Sequence, residues 1–319
     1  METEQIDLKN LYKAAELLLH GEIVAFPTET VYGLGACIFL EEAVQKIFKA
    51  KGRPSDNPLI AHICDLASME KIAQNIPKVF YQLAEAFFPG PLTLVVPKRK
   101  EVPLIVSAGL DTIAVRMPAH TVARDLIRLV GSPLVAPSAN LSGKPSSTQV
   151  SHVLDDFNGK IAGVILGESS DIGIESTVVS LLNGKIEILR PGAVCQNAIE
   201  ECLKQKISVF NPELVSLAPL PSPGMKYRHY APLAKVTLFS SLEEAVDTYS
   251  KKKNPHKKMI LANDSFIGIR SMPLTTQSFY SFLRLADKED YEEVFIVCDP
   301  ETLKNKGLMN RIEKAAGRY

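Results

Sequence analysis

The stretch TIAVRMPAHTVARDLIRLVGSPLVAPSANLSG, residues 112–143, decides the architecture. TIAVR (112–116) and PLVAP (133–137) are short apolar runs of strand length, and VARDLIRLV (122–130) between them reads as a helix. A strand, a helix, a strand and then a polar loop is the grammar of an α/β layer. Working outward, EIVAF (22–26), LIAHI (59–63), TLVVP (93–97), AGVIL (162–166), TVVSL (177–181) and KIEIL (185–189) read as further strands. Helices are predicted near 7–20, with Asp7 as N-cap, and near 41–50, 66–74 and 78–87, the last broken by FPGP at 88–91. TVVSL and KIEIL are joined by Leu182, Asn183 and Gly184, and Asn-Gly suits a tight hairpin. A hairpin makes neighbouring strands antiparallel, so the sheet is expected to be mixed rather than strictly doubly wound.

After residue 210 the composition changes. Pro212, Pro219, Pro221, Pro223 and Pro232 crowd a short segment that reads as a stiff linker, yet PSPGMKYRHYAP holds more Tyr, His and Lys than a spacer needs. Beyond it AKVTLF (234–239), KMILA (258–262) and VFIVC (294–298) alternate with helices near 241–252, 277–286 and 307–317, predicting a small parallel sheet. The expected division is therefore 1–210, a linker at 211–232, and 233–319.

Lys plus Arg equals Asp plus Glu, 36 each among 319 residues, so no global field draws the chain toward nucleic acid or membrane. Any anion site has to arise from local clustering. The five cysteines form no C-x-x-C pair and read as reduced, buried thiols of a cytoplasmic protein. METEQIDLKN has neither a basic nor an apolar leader region, and no stretch of about 20 residues is free of charge, so neither a signal peptide nor a membrane span is expected.

Four segments could carry chemistry. KAKGRPSDNP (49–58) gathers Lys49, Lys51 and Arg53 with Ser55 and Asn57 in a loop between helix and strand, where several donors could meet one polyanion or simply face water. APSANLSG (136–143) places Ser138, Asn140 and Ser142 at the C-terminal end of a strand, the edge at which α/β sheets bind ligands, although the same residues suit a plain turn. PTETVYGLG (27–35) reads as a loop bearing Thr28, Glu29, Thr30 and Tyr32. Arg116 and Arg190 each end an apolar strand and need a partner, either an internal carboxylate or a ligand. His62, inside LIAHI, reads as a satisfied core histidine when taken alone. GKPSS (143–147) is not a P-loop, because that pattern requires glycine where Ser138 stands. Donors and cations without an evident covalent nucleophile suit nucleotidyl transfer, in which catalysis is positioning and charge neutralisation.

Taken together these blocks resemble the YrdC-like family, in its long form, the threonylcarbamoyl-AMP synthases with a C-terminal extension. The family pattern K-x-R…S-x-N is met by Lys51, Arg53, Ser138 and Asn140, and PTETVYGLG, FPGPLTLV (88–95), VRMP (115–118), STVV (176–179) and ILRPGAV (188–194) follow in the family's order. SPGMKYRHYAP (222–232) and GLMNRIEKAAG (307–317) resemble hallmarks of the long form. The resemblance implies a YrdC-like mixed twisted sheet with flanking helices, plus a smaller Rossmann-like parallel α/β domain. It implies a reaction of L-threonine, bicarbonate or CO2, and ATP with Mg²⁺, giving L-threonylcarbamoyladenylate and pyrophosphate. A downstream transferase complex would then modify tRNA, with at most weak tRNA contact by this chain.

Residue by residue, the resemblance implies that Lys51 and Arg53 stabilise the phosphates during the reaction. ATP would be held by these two with Asn57, Thr112, Ser138, Asn140, Ser146, Arg190 and Tyr230. Threonine would meet Thr30, His62, Arg116 and Ser176, with Arg116 on its carboxylate, and no protein side chain is assigned to a resident metal. Tyr230 and its neighbour His229 would close over the nucleotide as a lid. Two rival readings are a carbamoyltransferase working through carbamoyl-adenylate, which would need a partner domain not visible here, and a non-catalytic binder of tRNA or double-stranded RNA, which the balanced charge disfavours.

Overall fold

A computed structural model describes residues 2–211, 229–264 and 271–317. Most of the expected linker, 212–228, lies outside the described residues. The first part carries strands β1 (Glu4–Ile6), β2 (Val24–Phe26), β3 (Gly33–Cys37), β4 (Ile60–His62), β5 (Leu92–Pro97), β6 (Thr112–Arg116), β7 (Leu134–Val135), β8 (Gly163–Ile165), β9 (Thr177–Ser180), β10 (Glu187–Arg190) and β11 (Ser208–Val209). They form one sheet in the order β1-β8-β2-β3-β7-β4-β6-β5-β9-β10-β11. The pairing is mixed, as the hairpin requires: β4 runs parallel to β6, while β7 is antiparallel to both β3 and β4. β9 and β10 pair antiparallel across Asn183 and Gly184, both at positive φ (54° and 72°), the geometry a two-residue hairpin turn needs.

Helices pack on both faces. Leu11–Leu19 and Thr121–Val130 cover one side through Leu18, Leu126 and Ile127. Glu41–Lys51, Lys78–Phe87 and Val150–Phe157 bury Ile47, Phe80 and Phe157 on the other. The expected helix at 66–74 is a short 3-10 turn, Leu66–Lys71, begun by Asp65 accepting from the Ser68 amide.

The largest difference from expectation is PTETVYGLG, whose last three residues begin strand β3 rather than continuing a loop. Its glycines let the chain lie against Phe26: a Cβ on Gly35 would stand 2.7 Å from that ring. Glycine here marks close approach within a sheet, not a turn. The thiols also differ. Cys37 and Cys298 are buried, Cys64 and Cys202 half-buried, and Cys195 exposed.

The second part carries β12 (Lys235–Phe239), β13 (Lys258–Ala262), β14 (Ser271–Pro273) and β15 (Glu293–Val297) in the order β12-β15-β13-β14, all parallel. Helix Thr276–Lys288 starts with a capping box between Thr275 and Ser278. Helix Lys306–Ala315 follows the last strand after a short helix at Pro300–Lys304. These helices do not stand apart from the first sheet. Ile174 and Val31 of the first part share one apolar cluster with Tyr280, Leu283, Leu308 and Ile312 of the second. No helix among the described residues is long and apolar enough to cross a membrane.

Candidate active site

The C-terminal end of helix Glu41–Lys51 builds one wall of a cleft. Gly52 terminates it at φ 60°, a left-handed cap that turns the chain toward Arg53. Lys51 is buried, and its Nζ donates to the backbone carbonyls of Ser138 and Asn140. The facing loop is pinned to β3, since the Leu34 amide donates to Pro137 O and the Ala139 amide to Tyr32 O, each near 2.8 Å. Thus two segments far apart in sequence are drawn together by a single ammonium and a ladder extension. Burial, reinforced by the charge of Arg53, pulls the Lys51 ammonium well below its ordinary pKa. Arg53 braces its own loop, donating from Nε to Asn57 O (3.3 Å) and from Nη2 to Pro58 O (3.0 Å), and burial lowers its pKa to about 10, which leaves it charged at neutral pH.

The opposite wall comes from β4 and β6, which set His62 beside Arg116 in register. Arg116 donates from Nη1 to Thr30 Oγ1 (2.8 Å) and from Nε to Gly90 O (3.2 Å), and its Nη2 lies 2.6 Å from Glu29 Oε1 in a buried ion pair. Burial raises the Glu29 pKa, but the Arg116 guanidinium and the backbone amides of Ala119 and Glu29 together outweigh it, and the carboxyl sits below its ordinary value. The expected internal partner of Arg116 therefore exists. One guanidinium meets Oε1 of Glu29, whose buried Oε2 has no partner among the described residues, while Arg116 itself still borders the cleft. His62 is held neutral, with a pKa near 3, first by burial and then by the Arg116 charge. Its Nδ1 lies 3.2 Å from Ile60 O, so that nitrogen carries the proton and Nε2 is left as an acceptor.

Thr30, Lys51, Arg53, His62, Arg116, Ser138, Asn140, Ser176, Arg190 and Tyr230 all line this one cleft. Arg190 reaches across from β10, donating from Nη2 to Ser176 O (2.9 Å) and Oγ (3.3 Å). Three of the expected residues do not line it. Asn57 is buried behind Arg53 with no partner for its Nδ2 among the described residues. Ser146 is fully buried and donates to Glu175 Oε1, which does border the cleft. Thr112 begins β6, roughly 13 Å from Arg116 at about 3.3 Å per residue. Alternation nevertheless puts Thr112, Ala114 and Arg116 on one face of that strand.

Three contributors were not anticipated. Glu175 accepts from Ser146 Oγ, from Tyr280 OH (2.9 Å) and from Arg311 Nε (2.8 Å). Burial opposes its charge, yet Arg311 and Arg190 hold its pKa down to about 2. Arg311 and Arg284 are buried cations of the second part that bond into the first, Arg284 at 2.8 Å from Asp156. A signal was present. Arg311 falls on the helical face of Leu308, Ile312 and Ala315, where a cation without a partner would be costly.

His229 and Tyr230 enter the cleft from the linker's end, both buried, with ring centroids 5.5 Å apart. The free volume left is about 70 Å³, room for a few waters rather than a nucleotide. Among the described residues no group of three His, Cys, Asp or Glu could hold a metal. Asn140 Oδ1 is buried without a partner, and its amide nitrogen is committed to Leu141 O and Lys144 O, so one oxygen is available to a hard cation or its water.

A mixed α/β sheet whose strand ends and one helix terminus converge on a cation-rich cleft defines a class of nucleotide-handling fold. Residues 16–192 match the family model Sua5_yciO_yrdC, described as telomere recombination, and the chain belongs to that family. Residues 194–317 match a second model, described as the threonylcarbamoyl-AMP synthase C-terminal domain, which marks the two-part branch. The chain is 41% identical to the threonylcarbamoyl-AMP synthase of Pyrococcus abyssi, covering 98% of this chain and 96% of that one. It is 39% identical to the Bacillus subtilis protein of the same name, over 96% and 92%. The crystal structure of P. abyssi Sua5 complexed with L-threonine superposes with a TM-score of 0.92 at 39% identity, covering 100% of this chain and 98% of the other.

Proposed function

We propose that this chain is a nucleotidyltransferase that makes L-threonylcarbamoyladenylate and pyrophosphate from L-threonine, bicarbonate or CO2, and ATP, for threonylcarbamoyladenosine in tRNA. The observation that carries this reading is the pairing of two chemistries in one cleft. All seven residues line that cleft; we assign Lys51, Arg53 and Arg190 to the phosphates, and Thr30, His62, Arg116 and Ser176 to the amino acid.

Arg116, already fixed by Glu29, holds the threonine carboxylate, and neutral His62 accepts a hydrogen bond from the threonine amine or hydroxyl. The amine, having lost its ammonium proton to solvent, attacks CO2 and releases a second proton to solvent to give the carbamate; with bicarbonate the same bond forms with loss of water. A small closed cleft shields that carbamate from hydrolysis. The carbamate oxygen then attacks the α-phosphorus and pyrophosphate leaves. Lys51 and Arg53 meet the charge that builds on the phosphates. Lys51 exchanges its carbonyl partners for phosphate oxygens, which restores its depressed basicity.

Mg²⁺, when bound with ATP, neutralises phosphate charge, and Asn140 with Ser138 would hold it or its waters while the phosphates supply the remaining ligands. Asn57 supplies an unused donor behind Arg53, and Thr112 extends the ATP site along β6. Ser146 acts from behind through Glu175. His229 and Tyr230 are buried in the cleft, which leaves too little room for ATP unless they move; this supports the lid reading. The division into a catalytic part (1–210), linker (211–232) and C-terminal part (233–319), the cytoplasmic setting and the downstream transferase complex belong to the same proposal. Neither rival reading gains an observation of its own.

Purified protein given ATP, Mg²⁺, bicarbonate and L-threonine is expected to release pyrophosphate and to form the threonylcarbamoyl adenylate, detected by mass spectrometry. Pyrophosphate release that does not depend on threonine would overturn the assignment.

A further inference from the structure

Arg311 is fully buried, and most of its donors reach into the first part of the chain. Nε donates to Glu175 Oε2 at 2.8 Å, Nη1 to Pro191 O at 2.5 Å and Nη2 to Glu175 O at 3.4 Å. Its guanidinium carbon stands 5.5 Å from the centroid of the Tyr230 ring. Tyr280 donates to the same Oε2 at 2.9 Å and places its ring 5.4 Å from Tyr230. Glu175 and Pro191 are each one residue away from site residues, Ser176 and Arg190, which bond to each other. Two helices of the second part therefore grip the chain next to both.

The backbones also stack without side chains between them. A Cβ on Gly307, at the start of helix Lys306–Ala315, would stand 2.4 Å from Gly192 O, and a Cβ on Gly192 would stand 2.4 Å from the carbonyl carbon of Ser176. Contact this close carries any displacement of the second part directly to the cleft wall.

We infer that the C-terminal part supplies two positioning residues to the reaction, Arg311 and Tyr280, which act through Glu175 and Tyr230 to set Arg190 and the aromatic cover against the nucleotide. This rests on the proposed function. A purely adhesive role would need only apolar burial between the parts. It would not need a guanidinium and a phenol on one oxygen of Glu175, a residue that borders the cleft, since a buried ion pair is costly unless every donor is met.

The test uses the full chain and separate ATP and threonine titrations of pyrophosphate release, with the melting midpoint measured alongside. Tyr280→Phe removes one hydroxyl and keeps the ring, and Arg311→Lys keeps the charge and loses the fork. Both are expected to raise the ATP KM about 10-fold while the threonine KM stays within about 2-fold, the scale of a small misplacement of binding groups. Ser281→Ala, which removes only the 3.1 Å contact to Thr148 across the same interface, is expected to leave both constants near wild type. Folded Tyr280→Phe with unchanged constants would overturn the inference. So would equal rises in both KM values that track the fall in melting midpoint. If Arg311→Lys does not fold, Tyr280→Phe decides. If the wild-type chain itself shows no threonine-dependent turnover, the proposed function fails first. Nucleotide affinity, measured by calorimetry on Tyr280→Phe and wild type, then decides the positioning role by itself, a 10-fold loss sustaining it and equal affinity ending it.

Discussion

Arg53 and Lys51 are neighbours in sequence with different structural debts. Arg53 is half-buried and braces only its own loop, so Arg53→Ala is expected to cut turnover at least 100-fold while stability changes by about 1 kcal/mol or less. Lys51 also ties the buried carbonyl of Asn140 to the half-buried one of Ser138, which keeps the Asn140 amide as a second donor. Lys51→Ala is therefore expected to abolish turnover and, in addition, to cost about 1–3 kcal/mol in urea unfolding, because Asn140 O loses its donor. That second cost was invisible in the K-x-R pattern, which shows residue types but not what a side chain does when the substrate is away. Protonation adds a further test. His62, His152 and His229 are buried neutral with pKa values near 3, against an ordinary 6.5, because burial disfavours the imidazolium. Below about pH 6.5 the unfolded chain binds protons that the folded chain refuses. Stability should fall as pH drops from about 6.5 toward 3, by up to about 1.4 kcal/mol per pH unit for each histidine. Urea midpoints between pH 7 and 5 check this, and His152→Gln should flatten the slope; an acid-insensitive midpoint would contradict the neutral assignment.

At the level of elements, most strands and helices could be read from periodicity because their apolar faces are long enough to declare a period. What escaped was short or ambiguous. β1 and β11 are three and two residues long, too brief for any pattern. β3 was hidden by its glycines, which look like turn formers until the Phe26 ring beside them is known. Helix Val150–Phe157 begins just after a run of Pro, Ser and Thr that reads as loop. The helix that presents Lys51 does follow its sequence signals, down to the glycine that ends it. Gly52 has no neighbour within 4 Å of a notional Cβ, so Gly52→Ala tests backbone strain alone. It should cost about 1–2 kcal/mol, read from the unfolding midpoint. It should also lower kcat/KM for ATP more than for threonine, because the cap aims Arg53. Equal effects on both substrates would mean that the cap serves only stability.

For the whole molecule, charge balance gave a usable expectation. With 36 charges of each sign, cations gathered in the cleft leave no surplus to wrap a polyanion elsewhere. Binding of bulk tRNA should be weak and lost by about 0.15 M salt, as filter retention would show; tight, salt-resistant retention would favour a direct RNA role. The two-part organisation was legible as alternating strands and helices after a proline-rich break. The way the parts join was not, because it depends on lone cations such as Arg284 and Arg311 on otherwise apolar helical faces, whose partners lie more than 100 residues away.

The stacking of Gly307 on Gly192 and of Gly192 on Ser176 has a consequence for descent. A half of this chain grafted onto the other half of a relative should work only where both donors keep glycine at the two seams and keep the carboxylate and guanidinium that meet beside them. Either half should therefore be exchangeable only together with the partner surface that fits it.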